Sequence, residues 1–213
     1  MFLKCINLKI KYIIFNTLLA FCLSLNAQNV NQDLKYQQKI FSNASNLDSL
    51  FYYSSRLEKS QDSCFKYEGK IHKAKFYYLN NNYSESEKIA FSISKNLQNK
   101  NSFCLIKIRI ESLNRLFWIK KNQCEYNEAF KQLLKIKEEI KKIPKDEEYL
   151  KSLNLTLDVN IALIKSLLRH YEEGRSILKK HLWKGNFNTS KKYSEKLNQA
   201  NILNLIAESY LKS

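Results

Sequence analysis

Three short stretches decide the fold: Tyr83-Ser84-Glu85-Ser86, Tyr126-Asn127-Glu128-Ala129 and Tyr171-Glu172-Glu173-Gly174. Each reads aromatic, polar, glutamate, small, and the tyrosines stand 43 and 45 residues apart. Nine residues before each tyrosine lie Ala74, Phe117 and Ala162. Another 45 residues on is Ala207, followed by Tyr210 as Ala74 is followed by Tyr77. Similarity at a fixed period marks a repeat architecture. A small side chain on one helix, facing a small one early in the next, lets the two axes approach. A tyrosine at the turn between them fills the remaining gap. Ala74, Tyr77, Tyr83, Ser86, Phe117, Tyr126, Ala129, Ala162, Tyr171, Gly174, Ala207 and Tyr210 are therefore expected to pack the repeats. The competing reading is a generic helical bundle with accidental tyrosine spacing.

Composition supports helices. The 213 residues include only 3 Gly and 1 Pro, namely Pro144, too few breakers for a fold of strands and turns. Polar breaks at Asn80-Asn81-Asn82, Asn99 to Ser102, Asn122-Gln123-Cys124 and Gly185 to Thr189 separate long helical patterns. Asp62-Ser63 and Asp146 are expected caps, and Ser84 with Glu87 has capping-box spacing. Residues 28–46, rich in Gln, Asn and Ser, read as a polar linker, and a first helix is expected from Leu47. The helix after Asp146 carries two apolar stripes: Leu153, Leu157, Ile161, Ile164 and Leu168, then Leu155, Val159, Leu163 and Leu167. A helix with one core-facing side shows one stripe, so this one is expected between neighbours.

These residues resemble the tetratricopeptide repeat. Its pattern is a small residue, an aromatic three later, then an aromatic-x-x-small step opening the second helix. Ala74, Tyr77, Tyr83 and Ser86 match best, and the likeness covers roughly residues 62–213. The usual repeat of about 34 residues is shorter than this period. Phe117 stands where a small residue is expected, and Lys120 and Lys165 where an aromatic is expected. The resemblance implies an all-α fold, a right-handed solenoid of stacked hairpins with repeats at 62–101, 102–145 and 146–189 and a half repeat at 190–213. It also implies a non-enzymatic module that binds a protein or peptide, similar to the exported sensor regions of Gram-negative regulators. Carried over by position, the peptide groove would be lined by Lys75, Tyr78, Leu79, Leu113, Trp118, Lys121, Val159, Leu163 and Ser166. Lysine beside aromatic suits an extended peptide with acidic residues or a free carboxylate. A structural scaffold of the cell envelope is the alternative.

The first 27 residues read as an address. Lys4, Lys9 and Lys11 precede the mostly apolar run Tyr12 to Leu25, and Leu25-Asn26-Ala27 precedes Gln28. That order is a secretory signal peptide with a cut after Ala27, directing the chain to the periplasm or outside. The formal charge is +16, and 33 basic against 20 acidic residues remain beyond residue 27. The lysines are spread along the chain and arginine is scarce, which suits a solvated surface better than a nucleic-acid patch. Cys64, Cys104 and Cys124 could supply one disulfide and a free thiol in an oxidising compartment, but each sits in an apolar or helical context and buried thiols are the expectation. No Cys/His cluster, phosphate loop or nucleophile elbow occurs, so no metal, cofactor or catalytic residue is expected.

Overall fold

The computed structural model describes residues 30–43, 45–144, 147–182 and 193–211. The signal peptide, the Asp146 cap and the Gly185 to Thr189 break lie outside them. Among the described residues every regular element is an α-helix. The chain divides into one unit ending at Phe76 and a second beginning at Tyr77.

In the first unit, residues 30–42 form α1, followed by α2 (Leu47–Leu57) and α3 (Ser63–Leu79), whose last three residues belong to the second unit. Helix α1 corrects the expectation of a linker. Its polar composition hides a stripe of Asp33, Tyr36 and Ile40 at helical spacing, with Asp33 and Ile40 buried. Ile40 joins Leu50 and Leu57 in a core backed by Tyr36, Leu47, Tyr53, Phe65 and Phe76. The expected cap is in place: Asp62 Oδ1 accepts from the amides of Cys64 at 2.7 Å and Phe65 at 3.1 Å. Gly69 lets α3 touch the end of α2, because a Cβ there would lie 2.4 Å from Glu58 N and 2.7 Å from Ser54 O.

The second unit contains α4 (Tyr83–Asn96), α5 (Phe103–Asn122), α6 (Tyr126–Ile140), α7 (Glu147–Leu167), α8 (Tyr171–Lys179) and α9 (Tyr193–Leu211). Each helix packs on its chain neighbours, and α7 also reaches α9. One core runs from Ala90 on α4 through Ile106, Ile110, Leu113, Leu116 and Phe117 on α5, then Ala129, Leu133, Ile136 and Ile140, to Leu157, Ile161 and Ile164 on α7. A second core joins Ala162, Leu178, Ile202 and Ile206. Leu153, Leu157, Ile161 and Ile164 of α7, with Leu168 just after it, serve the first core; of the second stripe, Leu155 and Val159 serve the second core while Leu167 packs on the first.

The turns before α4, α6 and α8 share one geometry. Asn81, Cys124 and Arg169, each two residues before its tyrosine, have φ of 59°, 60° and 65°. These are the non-glycine residues with positive φ among those described, and they recur with the sequence period. At each, two backbone bonds close the preceding helix. Asn81 N donates to Tyr78 O and Asn82 N to Tyr77 O; Cys124 N to Lys121 O and Glu125 N to Lys120 O; Arg169 N to Ser166 O and His170 N to Lys165 O. That pair of bonds with a left-handed residue is the Schellman motif. The next residue, Asn82, Glu125 or His170, has φ from −88° to −82° and ψ from 58° to 70° and caps the following helix. Its carbonyl accepts from the small residue of the motif: Ser86, Ala129 or Gly174. The cap of α4 is thus Asn82, whose side chain accepts from Glu85 N at 3.2 Å, and not Ser84. Glu87, expected in a box with Ser84, instead reaches Lys120.

Cysteine usage also departs from expectation. Cys64 and Cys104 are each disulfide-bonded, and Cys124 is a free, exposed thiol at its left-handed turn.

Candidate functional site

The positions expected to pack the repeats are mostly occupied as the motif requires. Ala74, Ser86, Phe117, Ala129 and Ala162 are fully buried, and so is the backbone at Gly174. The closest approach is on the last hairpin, where a Cβ on Gly174 would stand 3.0 Å from Ala162 O and 3.1 Å from the Ser166 hydroxyl. Phe117 fits in place of a small residue because it is itself the core between α5 and α6, in edge contact with Trp118 at 4.9 Å. Tyr126 packs on the same core, and the Tyr83 ring meets Tyr78 at a tilt with centres 5.4 Å apart, its hydroxyl donating to Asn81 Oδ1. Tyr77 and Tyr171 are half-buried.

Ala207 does not follow the pattern. It is exposed, as are Leu203, Tyr210 and Leu211 on α9. Burial on α9 falls to Ile202, Ile206 and Ser209. Tyr210 lies flat against the Arg175 guanidinium at 4.1 Å and its hydroxyl accepts from Lys179.

Lys120 and Lys165 show why lysine is accepted where an aromatic was expected. Lys120 Nζ lies 2.9 Å from Glu87 and 3.1 Å from Glu125. The bond to Glu87 chiefly, offset by partial burial and helped by Glu125, holds its ammonium above the ordinary lysine range. Lys165 Nζ sits 2.8 Å from Glu173 and 5.1 Å from the centre of the Phe130 ring. Glu87 and Phe130 are both four residues after a motif tyrosine, so each lysine reaches the same place on the preceding hairpin. Both cations are satisfied internally.

The candidate groove residues do not form one continuous line. Lys75 belongs to the first unit and the others to the second. Leu113 is a core residue, only 5% exposed, and offers no surface to a partner; its position was inferred from spacing that cannot tell a groove from a core. Val159 packs on the second core, and Leu163 and Ser166 line a small recess with Leu167, Leu178, Leu205 and Ser209. At about 50 Å³ this recess is far below the several hundred Å³ of a small-molecule pocket.

A coherent patch survives at the end of α3 and along α5. Tyr78 lies against Arg115, with the guanidinium 4.7 Å from the ring centre, and its hydroxyl accepts from Asn122 Nδ2 at 2.9 Å. Trp118 is half-buried against the core and carries Lys121 Nζ 4.9 Å above its ring. Leu79 is 44% exposed beside Tyr78 in sequence. Arg115 and Asn122 were missed as site residues, although 115, 118 and 122 are one helical face and could have been read as such. Burial pushes the Arg115 guanidinium below its ordinary range, and Tyr78 and Glu111 only partly oppose this.

Two histidines make local pairs. His181 Nε2 is 2.7 Å from Asp158, joining α8 to α7, and His170 Nδ1 is 3.0 Å from Glu173. No group of three metal-ligating side chains occurs among the described residues, and no described helix is long and apolar enough to cross a membrane. Comparison with protein-family models, curated proteins and solved structures finds no match.

Proposed function

We propose that this chain is an exported, tetratricopeptide-like solenoid that binds a peptide or protein segment along the first helices of its hairpins and catalyses no reaction. The observation that carries this reading is the recurrence of one turn, left-handed at Asn81, Cys124 and Arg169, at the period of the sequence motif. An accidental tyrosine spacing would not bring the same cap conformation and the same small-residue amide bond with it. Stacked hairpins expose their first helices on one side, and helix surfaces rich in half-buried aromatics with cations suit peptide capture. Tyr78, Arg115, Trp118 and Lys121 have that character.

Export is supported by the basic-then-apolar start of the chain and by the disulfide-bonded state of Cys64 and Cys104, which suits an oxidising compartment. Intact mass should place the mature start at Gln28 or its cyclised form; a mature chain retaining Met1 counts against export. Binding is tested by affinity capture from the envelope fraction with wild-type, Lys75→Glu and Lys121→Glu proteins. Groove binding predicts partner recovery reduced at least several-fold by Lys121→Glu. Recovery unchanged by both variants points instead to the scaffold reading, in which the exposed α9 residues Leu203, Ala207 and Leu211 dock on a partner.

A further inference from the structure

Phe91 on α4 and Leu134 on α6 are large apolar side chains left singly in water. Helix α1 differs. Its Val30, Leu34 and Phe41 are 45%, 40% and 63% exposed, and at about 100° per residue they fall within about 40° of one another around the axis. The inward side is taken by Asp33, Tyr36 and Ile40; Asp33 accepts from the Ser60 hydroxyl and Ile40 belongs to the core of the first unit. Gln37 Nε2 donates to both Glu68 oxygens on α3, at 2.9 and 2.7 Å, and the Phe41 ring meets His72 edge-on at 5.9 Å. These contacts fix the roll of α1, so the apolar stripe stays outward. On the other shoulder of the outward half lie Lys35 and Lys39, both exposed and in no ion pair with a described carboxylate. Exposed Asn31 and Gln38 separate the two shoulders.

A helix held by the protein on one side, apolar on one outer shoulder and cationic on the other, suits the interface of an anionic membrane. The apolar side chains sink to the acyl boundary, while the lysines reach back to the headgroup phosphates. The place of α1 in the chain agrees with this. Leu25 closes the apolar run five residues before Val30, at most about 18 Å of chain, so on the export reading α1 emerges beside the membrane. The exposed side of α9 makes the contrast: Leu203 and Leu211 lie there with Asn204 and Glu208, and the Tyr210 ring is covered by Arg175. That side offers no cationic shoulder. Resting on the export part of the reading above, we propose that α1 holds the mature chain against an anionic phospholipid surface, with Val30, Leu34 and Phe41 inserted and Lys35 and Lys39 on the headgroups.

The test is co-sedimentation of the chain from Gln28 onward with vesicles of phosphatidylethanolamine and phosphatidylglycerol, and with vesicles of phosphatidylcholine alone. Wild type should partition onto the anionic vesicles and far less onto the neutral ones. Leu34→Ser with Phe41→Ser should weaken that partitioning by about tenfold or more. Lys35→Glu with Lys39→Glu should weaken it by about tenfold at low salt, with the gap to wild type closing as salt rises. Phe91→Ser should change nothing. Because the substituted side chains are exposed, circular dichroism and the melting temperature should match wild type in every variant. No binding to anionic vesicles overturns the proposal, including the case in which the chain captures only an acidic protein. Binding lost with the lysine reversals but kept by the serine pair shows adsorption by charge alone and overturns insertion of the stripe. Export is read separately from the intact mass of the mature chain, so failure of either reading is seen without the other.

Discussion

Among the described residues two glycines carry close approaches, and they differ in how much room they leave. At Gly69 an added methyl would meet backbone atoms of α2 at 2.4, 2.7 and 2.8 Å, none of which can rotate away. The helix-propensity gain of about 1 kcal/mol for Gly→Ala cannot offset the separation this forces on the helices. Gly69→Ala should lower stability by about 2–3 kcal/mol in urea unfolding. At Gly174 the nearest backbone atom is 3.0 Å away, and the equivalent positions hold Ser86 and Ala129 with a Cβ in place. There the propensity gain and the crowding nearly cancel, and Gly174→Ala should stay within about 1 kcal/mol of wild type. A large loss at Gly174 and none at Gly69 would reverse the assignment. At this scale the motif tyrosines and small residues were legible, because spacing alone marks them. The left-handed residues were not: glycine is the usual cue for that conformation, and here asparagine, cysteine and arginine fill it. Nor could sequence tell that Lys120 is occupied, since that depends on what a different helix presents.

At the level of the element, helix order was readable, but seven to eight helices were expected against nine among the described residues. Helix α1 was hidden because polar residues outnumber its buried stripe. The start of α4 was placed a residue late because Asn82 caps from a left-handed turn that sequence does not display. Helix α5 shows what holds consecutive elements together. Arg109 on α5 gathers the carbonyls that end α4 and meets Glu139 of α6, so one side chain ties three helices. Arg109→Met removes a donor from three carbonyls, of which Leu97 O keeps the Lys100 amide, and should cost about 3 kcal/mol by chemical denaturation followed by circular dichroism. The exposed pair Lys141–Glu138, at 2.7 Å on the surface of α6, is screened by water on both sides, and Lys141→Met should leave stability close to wild type in the same assay. Equal costs for the two substitutions would show that the buried arginine is not the clamp described here.

Across the whole molecule, what sequence could show was the period, and what it could not was how the last copy is used. Ala207 keeps the spacing of Ala162 yet lies exposed, so equal spacing does not by itself bury a position. From α4 to α9 each helix meets its chain neighbours, so stability should be built locally and substitutions at separate hairpins should add. Glycine scanning by urea unfolding at residues 81, 124 and 169 reads the three turns together. If all three are left-handed, Cys124→Gly and Arg169→Gly each gain about 0.5–1 kcal/mol, the relief of the left-handed cost less the entropy of glycine, and Asn81→Gly stays near zero. Lys135→Gly, in the middle of α6, should lose about 1 kcal/mol. Losses at Cys124 and Arg169 equal to that at Lys135 would mean the turns are not the shared device that closes the hairpins, and the repeat would go with them.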